Sequence, residues 1–315
     1  MLERRSLGRT GLQVSSLGFG ASSLGGVFRD IDESEGIRTV HHALDLGINL
    51  IDVAPYYGLT KAETVLGRAL RGVQRDRYVL ATKCGRYGPE APDFDFTGDR
   101  ITRSIDESLG RLGVDHVDLI QAHDVEFGDL DVVVEECIPA MRRAVEAGKA
   151  RFVGITGLPL EVVLAVVDRV DAGSIDTVLS YCRYGLHDTA LLDALPALEA
   201  AGIGVINASP LAMGLLTHRG APAWHPAPKE LQAACEAAAE LCERRGARIE
   251  KLAVQYAVAE LRIASTLVSS ASPARMQSNV EALSDPIDEE LLADVLAVLE
   301  PVHNQSWPSG IQENR

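Results

Sequence analysis

Four residues of this chain are of types that together could exchange a proton with an alcohol oxygen: Asp52, Tyr57, Lys83 and His123. Each lies in or just after a short apolar run. Asp52 and Tyr57 stand in IDVAPYYG, Lys83 in ATKCG and His123 in DLIQAHD. Interconverting an alcohol and a carbonyl needs a group for the hydroxyl proton and an acceptor for the hydrogen on carbon. A phenol of pKa about 10 is a poor base near neutrality. A Lys ammonium beside it favours the phenolate and lowers that pKa. A buried Lys needs a carboxylate to remain charged, and Asp52 can supply it. His123, as a neutral imidazole, can hydrogen-bond the reacting oxygen and orient it. Taken singly, each of the four also reads as a helix cap, a core ring, a solvated cation or a structural imidazole. Their joint placement is what carries the chemistry.

That placement depends on the elements around them. Eight short runs read as strands: Val14–Gly20, Leu50–Ala54, Tyr78–Lys83, Val117–Ala122, Phe152–Thr156, Thr177–Tyr181, Gly204–Ala208 and Thr266–Ser269. Most are continuously apolar, as parallel strands covered on both faces should be. Amphipathic segments alternate with them: Ser34–Leu46, Ile101–Leu112, Glu135–Ala147, Leu160–Val170, Ala190–Ala201, Lys229–Arg244 and Pro273–Leu283. Gly47, Gly113, Gly148 and Gly202 each follow a helical pattern and precede a strand, as C-terminal caps do. The pattern predicts an α/β fold, a (β/α)₈ TIM barrel over residues 1–315 as one domain. RRSLG and LQVSSLG around Arg9-Thr10-Gly11 predict an N-terminal β-hairpin. Ile249–Glu260 and Glu289–Leu299 read as extra C-terminal helices outside the ring. In such barrels the loops after the strands carry function, and all four residues fall at strand ends.

Bulk properties narrow the partners. The chain has 315 residues, 46% hydrophobic and 24% charged, enough for a full core and a wet surface. A net charge of −15 argues against nucleic acid or anionic membranes as partners. Five cysteines without a CxxC pair read as reduced thiols rather than a disulfide framework or zinc ribbon. The polar opening MLERRSLGRTGLQ has no apolar signal core, and no run approaches the ~18 apolar residues of a membrane span. A cytoplasmic location is expected. His41-His42 and His123-Asp124-x-Glu126 invite a metal-dependent hydrolase, but His41 and His42 fall inside a predicted helix and no HxH follows the first strand. No metal site is expected.

IDVAPYYG, ATKCG and DLIQAHD resemble the three signature stretches of the aldo-keto reductase superfamily. The resemblance runs from LGRTGLQVSSLGFG to SNVEAL. It implies a (β/α)₈ barrel that binds NAD(P) without a Rossmann domain and catalyses with Asp52, Tyr57, Lys83 and His123. It also implies the cofactor contacts. Gly20 would let the ring approach. Thr156 and Ser180 would meet the nicotinamide amide, where the family often has Ser-Asn and Gln. Ser209, Pro210, Leu211 and Gly214, in SPLAMGLL, would hold the pyrophosphate. Ser269, Ser270, Arg275 and Asn279 would close on the adenosine, and the helix opened by Pro273 adds a favourable field for phosphate. Arg275 points to NADP. Ser269, where many NADP-using members carry Lys, keeps NAD as the alternative.

QAHDVEFGD, GITGLPLEVV, LSYCRYG and ASPLAMGLLTHRGAPAWHPAP resemble, more closely, the L-galactose dehydrogenase group and its relatives acting on L-fucose and other threo-aldoses. This implies oxidation of a sugar at C1 to the lactone. Asp124, Glu126, His187 and Trp224 are candidate partners for the sugar's other hydroxyls. Three alternatives stay open: a broad NADPH-dependent aldehyde or ketone reductase, a cofactor-sensing regulatory subunit and a metal-dependent barrel hydrolase. No partner is needed to complete such a site, so a monomer is expected.

Overall fold

The computed structural model describes residues 2–27 and 30–314. The hairpin comes first. β1 (Arg4–Ser6) pairs antiparallel with β2 (Gln13–Ser15). Its turn is a 3₁₀ segment, Gly8–Thr10, closed by Gly11 at φ 72°. The hairpin covers the N-terminal mouth of the barrel. Arg9 N–H donates to the Gly202 carbonyl at 2.9 Å, and the Arg5 guanidinium donates to the carbonyls of Val258, Glu260 and Ile263. Leu7, fully buried, plugs the barrel interior with Leu12, Val14, Leu50, Leu119, Leu179, Ile206 and Leu267.

Eight parallel strands then close on themselves: β3 (Leu17–Gly20), β4 (Leu50–Asp52), β5 (Val79–Cys84), β6 (Val117–Ala122), β7 (Ala150–Gly157), β8 (Thr177–Tyr181), β9 (Gly204–Ala208) and β10 (Ser265–Ser269). β10 joins β3 in the register Ser269↔Gly20 and completes the barrel. Helices ring the outside, and a continuous apolar layer from Phe19 to Met276 fills the space between ring and barrel. Among the described residues no helix is long and apolar enough to cross a membrane.

Three expectations need correction. Val14–Gly20 is two strands, because the chain passes from hairpin to barrel at Ser15-Ser16. Ser15 Oγ donates to the Leu17 carbonyl at 2.7 Å, and Ser16 N–H donates back to the Glu3 carbonyl at 2.9 Å. Such local bonds compete with a continuous ladder. Next, the helix Lys61–Leu70 was not anticipated, although Ala62, Val65, Leu66 and Ala69 form its buried face. The third concerns the two helices between β9 and β10. Ile249–Ala259, not Lys229–Arg244, takes the ring position: its Val254 and Val258 join the layer against the barrel. Lys229–Arg244 packs outside, burying Leu231, Cys235, Ala238 and Cys242 with the helix Glu289–Leu299. A one-sided stripe marks an outer helix, whereas seven buried residues in eleven mark one covered on several sides.

Candidate active site

β4, β5 and β6 are neighbours in the barrel, so their ends converge. Asp52 ends β4 and Lys83 is the penultimate residue of β5; both are buried. Lys83 Nζ donates to Asp52 Oδ1, to the Val53 carbonyl at 3.0 Å and to the Tyr57 hydroxyl at 3.4 Å. Gln121, opposite Lys83 in the β5–β6 register, donates to the other Asp52 oxygen at 2.8 Å. Both Asp52 oxygens are therefore bound, and the buried charge is paired and solvated by protein.

Tyr57 sits on a tight turn after β4. Thr60 N–H donates to the Pro55 carbonyl at 2.7 Å, and Gly58 adopts φ 63°. A Cβ at Gly58 would lie 2.1 Å from the Gly25 carbonyl oxygen, and one at Gly25 would lie 2.5 Å from the Tyr57 oxygen. Glycine at both positions lets the two turns touch backbone to backbone, which fixes the ring of Tyr57. His123 follows β6, its N–H bound to the Cys84 carbonyl at 2.9 Å. The Tyr57 and His123 rings meet edge to face with centroids 5.6 Å apart. Thus all four residues picked from the sequence lie in one cluster, Asp52, Lys83 and His123 buried and Tyr57 half-buried.

Electrostatics set their protonation. Burial pushes the Tyr57 phenol above its usual pKa; Lys83 pulls it down, while Asp52 and Asp124 push it up. The effect of Lys83 has the expected sign, but burial outweighs it, so the expectation of a lowered phenol pKa is corrected for the protein without cofactor. Burial works against the Lys83 charge, yet Asp52 and Tyr57 reverse that and hold its pKa above the usual value. Burial drives His123 down to about 3, with Asp124 opposing and Lys83 and Arg86 assisting. The imidazole is neutral, and its Nδ1 has no hydrogen-bond partner among the described residues. The cluster therefore offers a polarised phenol and a neutral imidazole, which suits proton exchange with a hydroxyl or carbonyl oxygen.

Residues for a cofactor lie on the adjoining strands. Ser180, in β8, is fully buried and its hydroxyl has no partner among the described residues. An orphaned buried hydroxyl is costly unless a ligand binds it, so it fits an amide group well. Thr156 differs. Its hydroxyl accepts from Asp124 N–H at 2.9 Å and donates to Asp124 Oδ1 at 3.2 Å, leaving one lone pair. Asn207, which sequence reasoning missed, is fully buried in β9 with Oδ1 unpartnered. After β9, Ser209, Ala212, Met213 and Gly214 all take positive φ, and the N–H groups of Ala212 and Gly214 donate to the carbonyls of Ser209 and Leu211 at 2.8 and 2.9 Å. Pro210 and Leu211 complete that loop. Ser269 is held by Ser22 and Ser23: Ser23 N–H donates to its hydroxyl at 3.0 Å, and the hydroxyls of Ser22 and Ser23 lie 2.9 and 2.6 Å away. Ser270 caps its own loop through Ser272 N–H at 3.1 Å. Arg275, exposed, and Asn279, half-buried, share one face of the helix Pro273–Ala282. At Gly20 an added Cβ would make ordinary contacts only, so space does not force glycine there.

The four residues considered for substrate divide. Asp124 adjoins His123, with Oδ2 3.7 Å from Nε2. Glu126 is fully buried beneath the C-terminal segment. Its carboxyl accepts from Ser309 Oγ at 2.8 Å and Leu158 N–H at 3.2 Å, and its carbonyl accepts from Ile311 N–H at 3.0 Å. Burial, then Asp124, pushes its pKa up to about 8. His187 is buried with both ring nitrogens unpartnered among the described residues. Trp224 is 55% exposed and stacks on His225, which packs edge-on against Trp307. None of these contacts brings Trp224 to His123. Arg86, Tyr56 and Tyr181, not singled out from the sequence, also line this side. Arg86 pairs with Asp124 and lies over Tyr56, and the Tyr181 hydroxyl approaches Glu126 Oε1 at 3.5 Å. His41 and His42 lie on the outer helix Glu33–Asp45 and bind the Ala69 carbonyl and the Gln277 side chain of the neighbouring helices.

Comparison with known proteins agrees with this geometry. Residues 16–300 match the Aldo/keto reductase family. The chain is 50% identical to an L-galactose dehydrogenase of Arabidopsis thaliana, over 99% of each chain. It is 30% identical to a D-threo-aldose 1-dehydrogenase of a Pseudomonas species, over 90% of this chain and 94% of the relative. Among solved structures, the holo form of an aldo-keto reductase from Bacillus halodurans superposes with a TM-score of 0.77 at 26% identity, over 100% of both chains. A closed barrel, an Asp–Lys–Tyr–His cluster at adjacent strand ends and a match across 16–300 converge on one assignment: this chain is a member of the aldo/keto reductase family.

Proposed function

We propose that this protein oxidises an aldose at C1 to its lactone, with L-galactose the first sugar to test and L-fucose or D-arabinose next. The observation that carries this reading is the 50% identity to an L-galactose dehydrogenase over nearly the whole of both chains. Asp52, Tyr57, Lys83 and His123 are the catalytic groups. When bound, NAD(P) supplies the acceptor for the two electrons and the hydrogen that leave C1. Tyr57, as the phenolate that Lys83 stabilises, takes the proton of the C1 hydroxyl and becomes the neutral phenol. Asp52 and Gln121 hold Lys83 in place and charged. His123 hydrogen-bonds the same oxygen and fixes its approach. Ser180, with the remaining lone pair of Thr156, meets the carboxamide. Ser209 and the loop through Gly214 hold the pyrophosphate, and Ser269, Ser270, Arg275 and Asn279 face the adenosine.

Absorbance at 340 nm tests the reading. Purified protein with one of these sugars and NAD⁺ or NADP⁺ should give a steady rise. Cofactor binding without any rise would move the assignment to a sensing subunit. One observation favours a second reading: the raised Tyr57 pKa keeps a proton available for a carbonyl, as a reductase requires. NADPH consumption with simple aldehydes, and none of the sugar reaction, would select it.

The choice of cofactor rests on Arg275. A 2′-phosphate carries close to two negative charges and favours more than one cation. Arg275 supplies one and favours NADP, while the neutral cluster of Ser22, Ser23 and Ser269 supplies none, which keeps NAD as the alternative. Arg275→Gln should raise the KM for NADP⁺ by about tenfold and spare NAD⁺, since one charge-assisted contact is worth about 1.5–3 kcal/mol. Equal changes for both cofactors would remove the phosphate role from Arg275.

A further inference from the structure

Arg86 follows β5 and reaches across to the loop after β6. Its guanidinium carbon lies 3.7 Å from the centre of the Tyr56 ring, 5.1 Å from Phe94 and 5.6 Å from Phe127. Phe94 and Phe127 themselves stack at 4.6 Å. Three rings thus cage a cation whose side chain is 17% exposed, and its Nη1 donates to Asp124 Oδ2. That same oxygen stands 3.7 Å from His123 Nε2. Asp124 cannot turn away. Its backbone is left-handed at φ 55°, and Thr156 binds both its N–H and its Oδ1. One carboxylate oxygen therefore sits between a permanent cation and an imidazole that can become one.

We infer that Arg86 is a positioning residue for the reaction: by neutralising Asp124 it keeps His123 uncharged. An anion fixed beside a buried imidazole draws a proton onto it unless another cation satisfies the anion first. The other groups around the pair do not replace Arg86. Lys83, from β5, is committed to Asp52 and Tyr57. From β4 and its loop, Asp52, Tyr56 and Tyr57 bring no further cation. Glu126, on the loop after β6, and Tyr181, at the end of β8, add only acidic groups near Asp124. A charged His123 would be a second cation with Lys83 in one dry pocket, where an oxidised nicotinamide, itself cationic, has to bind. It would also lose the acceptor nitrogen through which a neutral ring can receive a hydroxyl proton. Burial is the main cause that lowers His123, Asp124 opposes it, and Lys83 and then Arg86 assist, so the part of Arg86 is to offset the anion it binds.

The inference deepens the reading of His123 as the group that meets the substrate oxygen, but its main readout needs no substrate. NMR of histidine-labelled protein, with the His123 signal identified from H123Q, should show a neutral ring from pH 8 to 5 in the unaltered chain. In Arg86→Met the ring should titrate within that window. The kcat/KM of R86M relative to the unaltered enzyme should be constant near pH 8 and fall about tenfold per pH unit below the new pKa. R86K should restore a neutral ring and a constant ratio. R86M/D124N, with the anion also removed, should keep His123 neutral. If R86M does not fold, Arg86→Gln retains a donor to Asp124 and loses only the charge, so it answers the same question. A ring that stays neutral to pH 5 in R86M and R86Q, or a pH-independent ratio, overturns the inference. A titrating ring in a protein without sugar turnover sustains it and sinks the proposed substrate instead.

Discussion

Tyr57→Phe should abolish aldose oxidation and leave cofactor binding intact. The hydroxyl accepts from Lys83 at 3.4 Å, and its ring meets His123 edge to face. Removing it takes away the proton acceptor and nothing that holds the fold: the ring remains, and so does the backbone contact between Gly58 and Gly25. Positioned acid–base groups contribute roughly 10²–10⁴-fold, so kcat should fall by about 10³-fold or more. The Kd for NAD⁺, read by quenching of protein fluorescence, should change less than about twofold, within ~0.4 kcal/mol. The pH dependence has a fixed sign. A base must be unprotonated to accept, and burial holds the Tyr57 pKa above its usual value. Oxidation should therefore quicken with pH up to the alkaline range, and Y57F should lose that limb. Turnover within tenfold of the unaltered enzyme would assign the proton to another group.

The barrel was legible because its strands are continuous apolar runs separated by amphipathic helices with glycine stops, a pattern few folds share. The cluster of Asp52, Tyr57, Lys83 and His123 was legible for a related reason. Knowing that function lies at strand ends turned Asp52, Lys83 and His123 from isolated polar residues into neighbours, and the Tyr57 turn carries its own signal in the glycine that follows. What was not legible depends on contacts distant in sequence. Little in Ser15-Ser16 itself announces a change from hairpin to barrel; the distant partners are Glu3 and Asn49. The helix Ile249–Ala259 read as peripheral because linear order cannot say which of two helices faces the barrel.

The same limit governs the substrate side. Asp124 and Glu126 were candidates to meet the sugar's hydroxyls, and what their sequence does not show is that Asp124 is bound by Arg86 and Thr156, and Glu126 by Ser309 and Leu158. Arg86 escaped notice because a charged residue after a strand is usually solvated; its aromatic cage comes from three separate loops. Gln121 and Asn207 escaped because an amide inside an apolar run carries no sign of its partner. Burial and pairing decide the chemistry of such groups, and neither is a property of the residue alone.

Lys83→Met should cost both stability and turnover, and the two losses can be separated. Lys83 and Asp52 are buried together, and removing one partner leaves the other as an uncompensated charge. That costs about 3–5 kcal/mol, to be seen as a lower urea midpoint at unchanged slope. Because its partners raise the Lys83 pKa, the ammonium's contribution is fully present below about 10.5 and is lost only as pH rises through the higher folded value. The deficit of K83M should accordingly be level across neutral pH. Adding Asp52→Asn removes the stranded charge while keeping an acceptor for Gln121, so D52N/K83M should regain about 2 kcal/mol or more. Turnover should stay low in both, about 10²-fold or more below the unaltered enzyme, since neither supplies the cation that stabilises a Tyr57 phenolate. If K83M were as stable as the parent, the buried pair would contribute nothing to the fold. If D52N/K83M regained activity along with stability, Lys83 would act on Tyr57 only by holding the barrel end together.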